Sequence, residues 1–239
     1  MYFFKKIWLL AFYSFLSFAA SSQNINYFGW FPTIDHSAKI SNRFSYNVYL
    51  FDAIKPYSST INQEKDRARS FYVYGETGFS YNLTQKLSIT AAYVHERQNP
   101  FLDNFRIENR LFQQLTLKLP WGKASVKQRL RFDERFVQNR STGETPFTHR
   151  LRYLIGITRP IFNEKLYVMA YSEAFLNTSK SFKFDENWSA LQIGFRLDNK
   201  NSIEAGLLYV GWINNVANDW LNQYYLQTTW VSQLDFTKK

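Results

Sequence analysis

From Phe105 to Arg135 the chain alternates polar and apolar positions through two arms joined at Pro120-Trp-Gly-Lys123. Alternation with period two marks a strand whose two faces meet different surroundings. One face carries Arg106, Glu108 and Arg110, then Lys127, Arg129, Arg131, Asp133 and Arg135. The other carries Ile107, Leu111, Leu115 and Leu117, then Val126, Leu130, Phe132 and Phe136. Two solvents suit such a hairpin. In a soluble sandwich the charged face meets water and the apolar face a core. In a membrane barrel the charged face lines a lumen and the apolar face meets lipid.

The same alternation recurs along most of the chain. It predicts strands over Arg43–Ala53, Ser70–Leu83, Leu87–Gln98, the two arms Phe105–Leu119 and Ala124–Arg135, Thr148–Arg159, Leu166–Asn177, Trp188–Leu197, Ser202–Ile213 and Gln223–Phe236. Asn24–Pro32 is a weaker aromatic strand, followed by a polar connection at Asp35–Ser41. Most predicted strands run to roughly 11–14 residues, where soluble strands average about 5–6 and a tilted membrane crossing takes ~9–11. Short turns at 84–86, 120–123, 160–165 and 198–201 alternate with longer connections at 54–69, 99–104, 138–147, 178–187 and 214–222. No segment has a helical period. Short turns at one end and long loops at the other suit an all-β, antiparallel transmembrane barrel of about 10–12 strands, with periplasmic turns and extracellular loops. Single-chain bacterial barrels have an even strand count. The expectation is therefore ten strands with Asn24–Pro32 elsewhere, for example in the lumen, or twelve with one strand hidden.

Aromatic residues near strand ends fit interfacial girdles: Tyr81, Trp121, Tyr153, Trp188, Trp212, Trp220, Tyr224 and Phe236. Asn109, Gln113, Gln128 and Glu134 interrupt the apolar face of the central hairpin and keep the soluble sandwich as an alternative.

Composition narrows the class further. The chain has 239 residues, a net charge of +10, no cysteine and a mean hydropathy of −0.38. Absence of cysteine excludes a disulfide scaffold and a thiolate metal site. Past the N-terminus, no apolar run approaches the roughly 18 residues of a membrane helix. Low mean hydropathy is compatible with a barrel, whose outward apolar residues are diluted by inward polar ones. The N-terminus reads as an address: Lys5 and Lys6, an apolar stretch from Ile7 to Ala19, then small residues at Ala20-Ser-Ser22. This is the pattern of a secretory leader over 1–22, leaving 23–239 as the barrel domain. Its loss lowers the charge from +10 to +8. Export also removes nucleic acid as the reason for the basic surplus. The partners expected of such a Gram-negative outer-membrane chain are membrane lipid, lipopolysaccharide and the barrel-insertion machinery.

A turn centred between Trp121 and Gly122 would set Arg110 opposite Asp133 and Glu108 opposite Arg135. Similar registers bring Glu173 near Arg152 or Arg150 and set Arg196 opposite Glu204. Acids and bases would then meet across the inner wall, because a buried charge without a partner is strongly unfavourable. The bland reading of these groups is a salt-bridged interior of the kind that fills small barrels. The sharper one notes that Lys127, Arg129, Arg131, Arg150 and Arg152 outnumber their acids, which would give a narrow channel leaning toward anions, in a porin-like role.

Catalysis is the weaker reading. Outer-membrane lipid hydrolases place a Ser–His pair on the outer rim, and here His149 lies near Ser141 while His95 precedes Glu96. No phosphate loop, nucleophile elbow or metal-spaced cluster accompanies them, and no cofactor is expected. A surface binding module built on the long loops is the third possibility.

Several stretches carry a family resemblance. They are His36-Ser-Ala-Lys-Ile-Ser-Asn-Arg-Phe44, Gly78-Phe-Ser-Tyr-Asn-Leu83, the Arg-x-Glu-x-Arg of 106–110, Arg129-Leu-Arg-Phe-Asp-Glu-Arg135, His149-Arg-Leu-Arg-Tyr153, Tyr171-Ser-Glu-Ala-Phe-Leu-Asn177 and the Gly-x-x-Tyr of 206–209. Through these the chain resembles an uncharacterised family of bacterial outer-membrane β-barrels catalogued only as a domain of unknown function. The resemblance implies fold and location and no activity. One departure is Trp188, where an inward arginine would be expected.

Overall fold

A computed structural model describes residues 25–61, 64–103, 105–139, 142–179, 182–214 and 219–237. The expected leader and Ser141 lie outside the described residues. Among the described residues thirteen strands follow in chain order: β1 (Ile25–Lys39), β2 (Phe44–Lys55), β3 (Ser59–Ile61), β4 (Glu64–Asp66), β5 (Arg69–Asn82), β6 (Leu87–Gln98), β7 (Arg106–Trp121), β8 (Ala124–Asn139), β9 (Phe147–Pro160), β10 (Leu166–Asn177), β11 (Lys183–Arg196), β12 (Asn201–Asn214) and β13 (Asp219–Asp235). Eleven of them close a barrel in the order β1-β13-β12-β11-β10-β9-β8-β7-β6-β5-β2. The pair β3–β4 forms a separate hairpin within the connection from β2 to β5.

The strand count is odd, against both even expectations. In an up-and-down ring an odd count makes the first and last strands run the same way, and β1 does pair with β13 in parallel from Ile25↔Leu221 to Lys39↔Asp235. This seam carries its own side-chain fastening. Trp30 Nε1 donates to Thr228 Oγ1 at 2.9 Å, Phe28 stacks on Tyr224 at 5.4 Å, and Lys39 meets Asp235 at 3.5 Å. The polar run Asp35–Lys39 resembles a loop because Asp35, Ser37 and Lys39 face a polar interior; it is the second half of β1.

Turn geometry corrects the central hairpin. Trp121 pairs with Ala124 across a two-residue Gly122–Lys123 turn, and Gly122 takes φ +58°, which glycine at the first position of such a turn tolerates. The register therefore sets Arg110 opposite Arg135 and Phe112 opposite Asp133, two residues from the expected pairing. Likewise Arg196 faces Ser202, and Glu204 faces Gly194.

One end of the barrel carries the turns at 40–43, 83–86, 122–123, 161–165 and 197–200. The other end has long connections only at 56–68, 99–105 and 140–146; those at 178–182 and 215–218 are no longer than the turns opposite. Here β11 and β13 begin earlier than their apolar alternation suggests, since inward Glu186 belongs to a strand and not a loop.

Polarity is inside out. Phe79, Leu191, Ile193, Leu207, Leu226 and Trp230 stand exposed on the outer wall, while Glu108 and Asp133 are fully buried inside. Two of the outward polar side chains, Asn109 and Gln128, find partners on the same wall. Tyr93 donates its hydroxyl to Asn109 at 2.6 Å, His95 meets the same oxygen at 2.9 Å, and Tyr153 donates to Gln128 at 3.1 Å. The interior is divided by wall. On β1, β2, β5 and β13, Phe31, Phe51, Tyr74 and Tyr225 form an aromatic cluster, with Phe51 stacked 4.4 Å from both Phe31 and Tyr74. Trp188 and Trp212 pack against this cluster from inside, so neither belongs to an outer girdle. Trp188 fills the place of the expected arginine with an aromatic ring. Most of the inward charges, and all of the inward arginines of the hairpin, occupy the wall from β6 to β10, with Glu76 on β5 and Glu186 on β11 beside them.

Candidate functional site

On β7, β8 and β9 the inward charges sit two residues apart, so neighbouring side chains along these strands also touch. Glu108 lies between Arg106, Arg110 and Arg135. Arg106 is 3.4 Å away, Arg135 Nε donates to Oε1 at 2.5 Å and its other nitrogen to Oε2 at 2.9 Å, and Arg110 donates to the same carboxylate. Arg110 also bonds Glu96 from β6. This first network holds three arginines and two glutamates.

A second network centres on Asp133. Its carboxylate accepts from Arg131 Nε at 2.6 Å and Arg150 Nε at 3.3 Å, and Arg152 approaches to 3.8 Å. Each guanidinium then reaches a further acid. Arg131 bonds Glu76 on β5 at 2.9 Å, Arg150 bonds Glu186 on β11 at 3.3 Å, and Arg152 bonds Glu173 on β10 at 2.8 Å. Glu173 also accepts from Arg129 at 2.8 Å. Four arginines balance four carboxylates here.

The two networks together hold seven arginines against six acids, a surplus of one. This reduces the expected excess: Arg129, Arg131, Arg150 and Arg152 all have acidic partners, and of the five only Lys127 makes no ion pair among the described residues. Four of the acids come from other strands than the hairpin: Glu76, Glu96, Glu173 and Glu186. Of these, Glu186 was concealed in an expected loop. Arg131 and Arg152 are direct cross-strand neighbours, as are Arg110 and Arg135. Such like-charge neighbours are tolerated because a carboxylate sits between the members of each pair. Aromatic faces hold the rest of the guanidinium surface, with Arg131 3.4 Å above Phe112 and Arg152 4.3 Å from Phe175.

Of the expected site residues, Arg106, Glu108, Arg110, Arg129, Arg131, Asp133, Arg135, Arg150, Arg152 and Glu173 meet in these networks. Three stand apart. Arg196 lies over the Tyr167 ring at 4.9 Å and bonds the Glu164 carbonyl, not Glu204. Glu204 accepts from the Tyr167 hydroxyl at 2.6 Å. Lys127 faces Lys118 across the hairpin and makes no ion pair among the described residues.

A cavity of about 970 Å3 runs within the barrel, lined by Lys39, Ser45 and Lys118 toward the turn end and by Gln98, Thr148 and Asp185 toward the loop end. Between these ends lie the buried ionic layer and the aromatic cluster. Among the described residues the histidines of the hydrolase reading meet no catalytic partner, and Ser141 lies outside those residues. His95 points outward to Asn109 while Glu96 points inward to Arg110. His149 lies outside, its ring stacked on Phe132 at 5.5 Å. Among the described residues no group of three or more His, Asp or Glu side chains is placed to hold a metal ion.

No curated protein and no solved structure matches the chain. The family described as "Protein of unknown function (DUF2490)" matches residues 29–222, from the start of the seam strand to the start of the last one, and the chain belongs to that family.

Proposed function

We propose that the protein is an integral outer-membrane barrel whose lumen is narrowed by the buried ionic layer and the aromatic cluster, so that it serves as a structural wall component with at most a narrow ionic path. The observation that carries this reading is the inverted polarity. Apolar side chains such as Leu207 and Ile193 stand outside, and the charges are buried within. An outer wall of this kind is stable where lipid replaces water, and a closed barrel leaves no unpaired backbone edge there. The paired outward polar groups, Asn109 with Tyr93 and Gln128 with Tyr153, lower the cost of the interruptions in that wall.

In this reading residues 1–22 direct export and are removed. The turn end faces the periplasm, and membrane lipid and lipopolysaccharide contact the outer wall. Insertion falls to the cell's barrel-assembly machinery. The neutral second network argues for constriction over wide anion conduction, since Asp133 is fully buried among Arg131, Arg150 and Arg152. Two experiments test the reading together. Membrane fractionation with a heat-modifiable gel shift should place a folded barrel in the outer membrane, and planar bilayers should show no steady conductance of porin size. Recovery in the soluble periplasmic fraction, or large stable conductance steps, would refute it.

A further inference from the structure

The turn-end half of the lumen is built differently from the ion-paired half. Lys118 and Lys127 stand directly opposite each other on β7 and β8, and both extend into open cavity. Neither has an acidic partner among the described residues. Like charges set directly across a strand pair repel, and an anion placed between them would relieve that repulsion. Arg129 is next on β8. One of its terminal nitrogens holds Glu173 at 2.8 Å, and its Nε is buried without a partner.

The facing wall is acidic. Asp35 on β1 and Glu204 on β12 both line the cavity, and in the ring of eleven strands β1 and β12 lie four or five places from β7 and β8. Asp35 has Lys127, Lys118 and Arg129 within Coulombic range, and Glu204 has Lys127. Yet no ion pair closes between the walls among the described residues. The charges face one another across space. Above Glu204, Gln192 and Gln227 flank Gly206 in one row across β11, β12 and β13. They are 2% and 3% exposed, and Gln192 Nε2 and Gln227 Oε1 have no hydrogen-bond partner. A buried amide left unpaired is unfavourable unless something in the cavity bonds it.

We propose that this chamber binds a small zwitterion, its anionic group against Lys118, Lys127 and Arg129 Nε and its ammonium group against Asp35 and Glu204. The amides of Gln192 and Gln227 bond the bound molecule from the inner side. A simple anion meets repulsion from the two carboxylates, and a simple cation meets it from the two lysines. A molecule with both charges satisfies both walls. Entry is from the turn end, since Lys118 and Lys127 lie three residues from the strand ends at Trp121 and Ala124.

The test is calorimetry on the full barrel folded in detergent micelles, with O-phosphoethanolamine as the probe and inorganic phosphate and ethanolamine as its two halves. O-phosphoethanolamine should bind at least tenfold tighter than either half. Lys127→Met and Asp35→Asn should each weaken it tenfold or more while keeping the heat-modifiable gel shift. Lys118→Gln, on the opposite strand, provides the same reading should either of those fail to fold. Phosphate binding as tightly as the whole probe would overturn the proposal in favour of an anion site, and ethanolamine doing so in favour of a cation site. Absence of heat at millimolar probe, or an unchanged affinity in Asp35→Asn, would also overturn it. Because the measurement needs only the folded barrel, its failure leaves the proposed membrane role standing.

Discussion

Asp133→Asn removes the charge at the centre of the second network and keeps the side chain's size. The aspartate is fully buried and accepts from Arg131 at 2.6 Å and Arg150 at 3.3 Å, with Arg152 at 3.8 Å. Hydrogen bonds to charged groups contribute about 1.5–3 kcal/mol each, so two of them set a range of roughly 3–6 kcal/mol. The lower end applies. Asparagine keeps one acceptor oxygen, and all three guanidiniums retain a second carboxylate in Glu76, Glu186 and Glu173. The expected destabilisation is about 3 kcal/mol, within the range for breaking a buried ion pair. Reversible urea unfolding in vesicles, followed by tryptophan fluorescence and the gel shift, should show a lower midpoint at unchanged slope. Adding Arg131→Gln removes the surplus cation, and the double variant should lose at least ~1 kcal/mol less than the two single losses added together. A shift worth under about 0.5 kcal/mol for Asp133→Asn would refute the view that this carboxylate holds the layer together, since that is the size of a surface substitution. Strict additivity in the double variant would refute the pairing itself.

Three further outcomes follow from the geometry. Leu207 is 69% exposed near the middle of β12, so Leu207→Arg should cost about 2–4 kcal/mol in a bilayer if that wall meets lipid; unchanged stability in vesicles would contradict it. A Cβ at Gly194 would lie 2.2 Å from the Tyr167 ring, so Gly194→Val should displace that ring from Glu204 and cost roughly 1–3 kcal/mol by overpacking, read from the urea midpoint. Deleting 25–39 removes the strand joining β2 to β13 and should abolish the heat-modifiable shift; a deletion variant that still closed would show ten strands to be sufficient.

Alternation along the chain was enough to determine the fold class, the inward and outward faces of the strands, and which residues could carry charge inside. That information is local: a period of two in a dozen residues assigns both faces of a strand, whatever its neighbours are. Register and closure are not local. A two-residue turn at Gly122–Lys123 moved every pairing in the central hairpin, and placed Phe112 rather than Arg110 opposite Asp133. Strand number was decided by the seam, where a polar half-strand from Asp35 to Lys39 counts as strand only because a parallel partner and a polar lumen are there to meet it. The acids that neutralise the arginines lie far off in sequence, with Glu76 55 residues from Arg131 and Glu173 44 from Arg129. Only the closed ring brings them within reach across the lumen. It also keeps Lys118 and Lys127 apart from Asp35 and Glu204, which leaves no ion pair there, whereas the arginines deeper in the lumen all meet carboxylates.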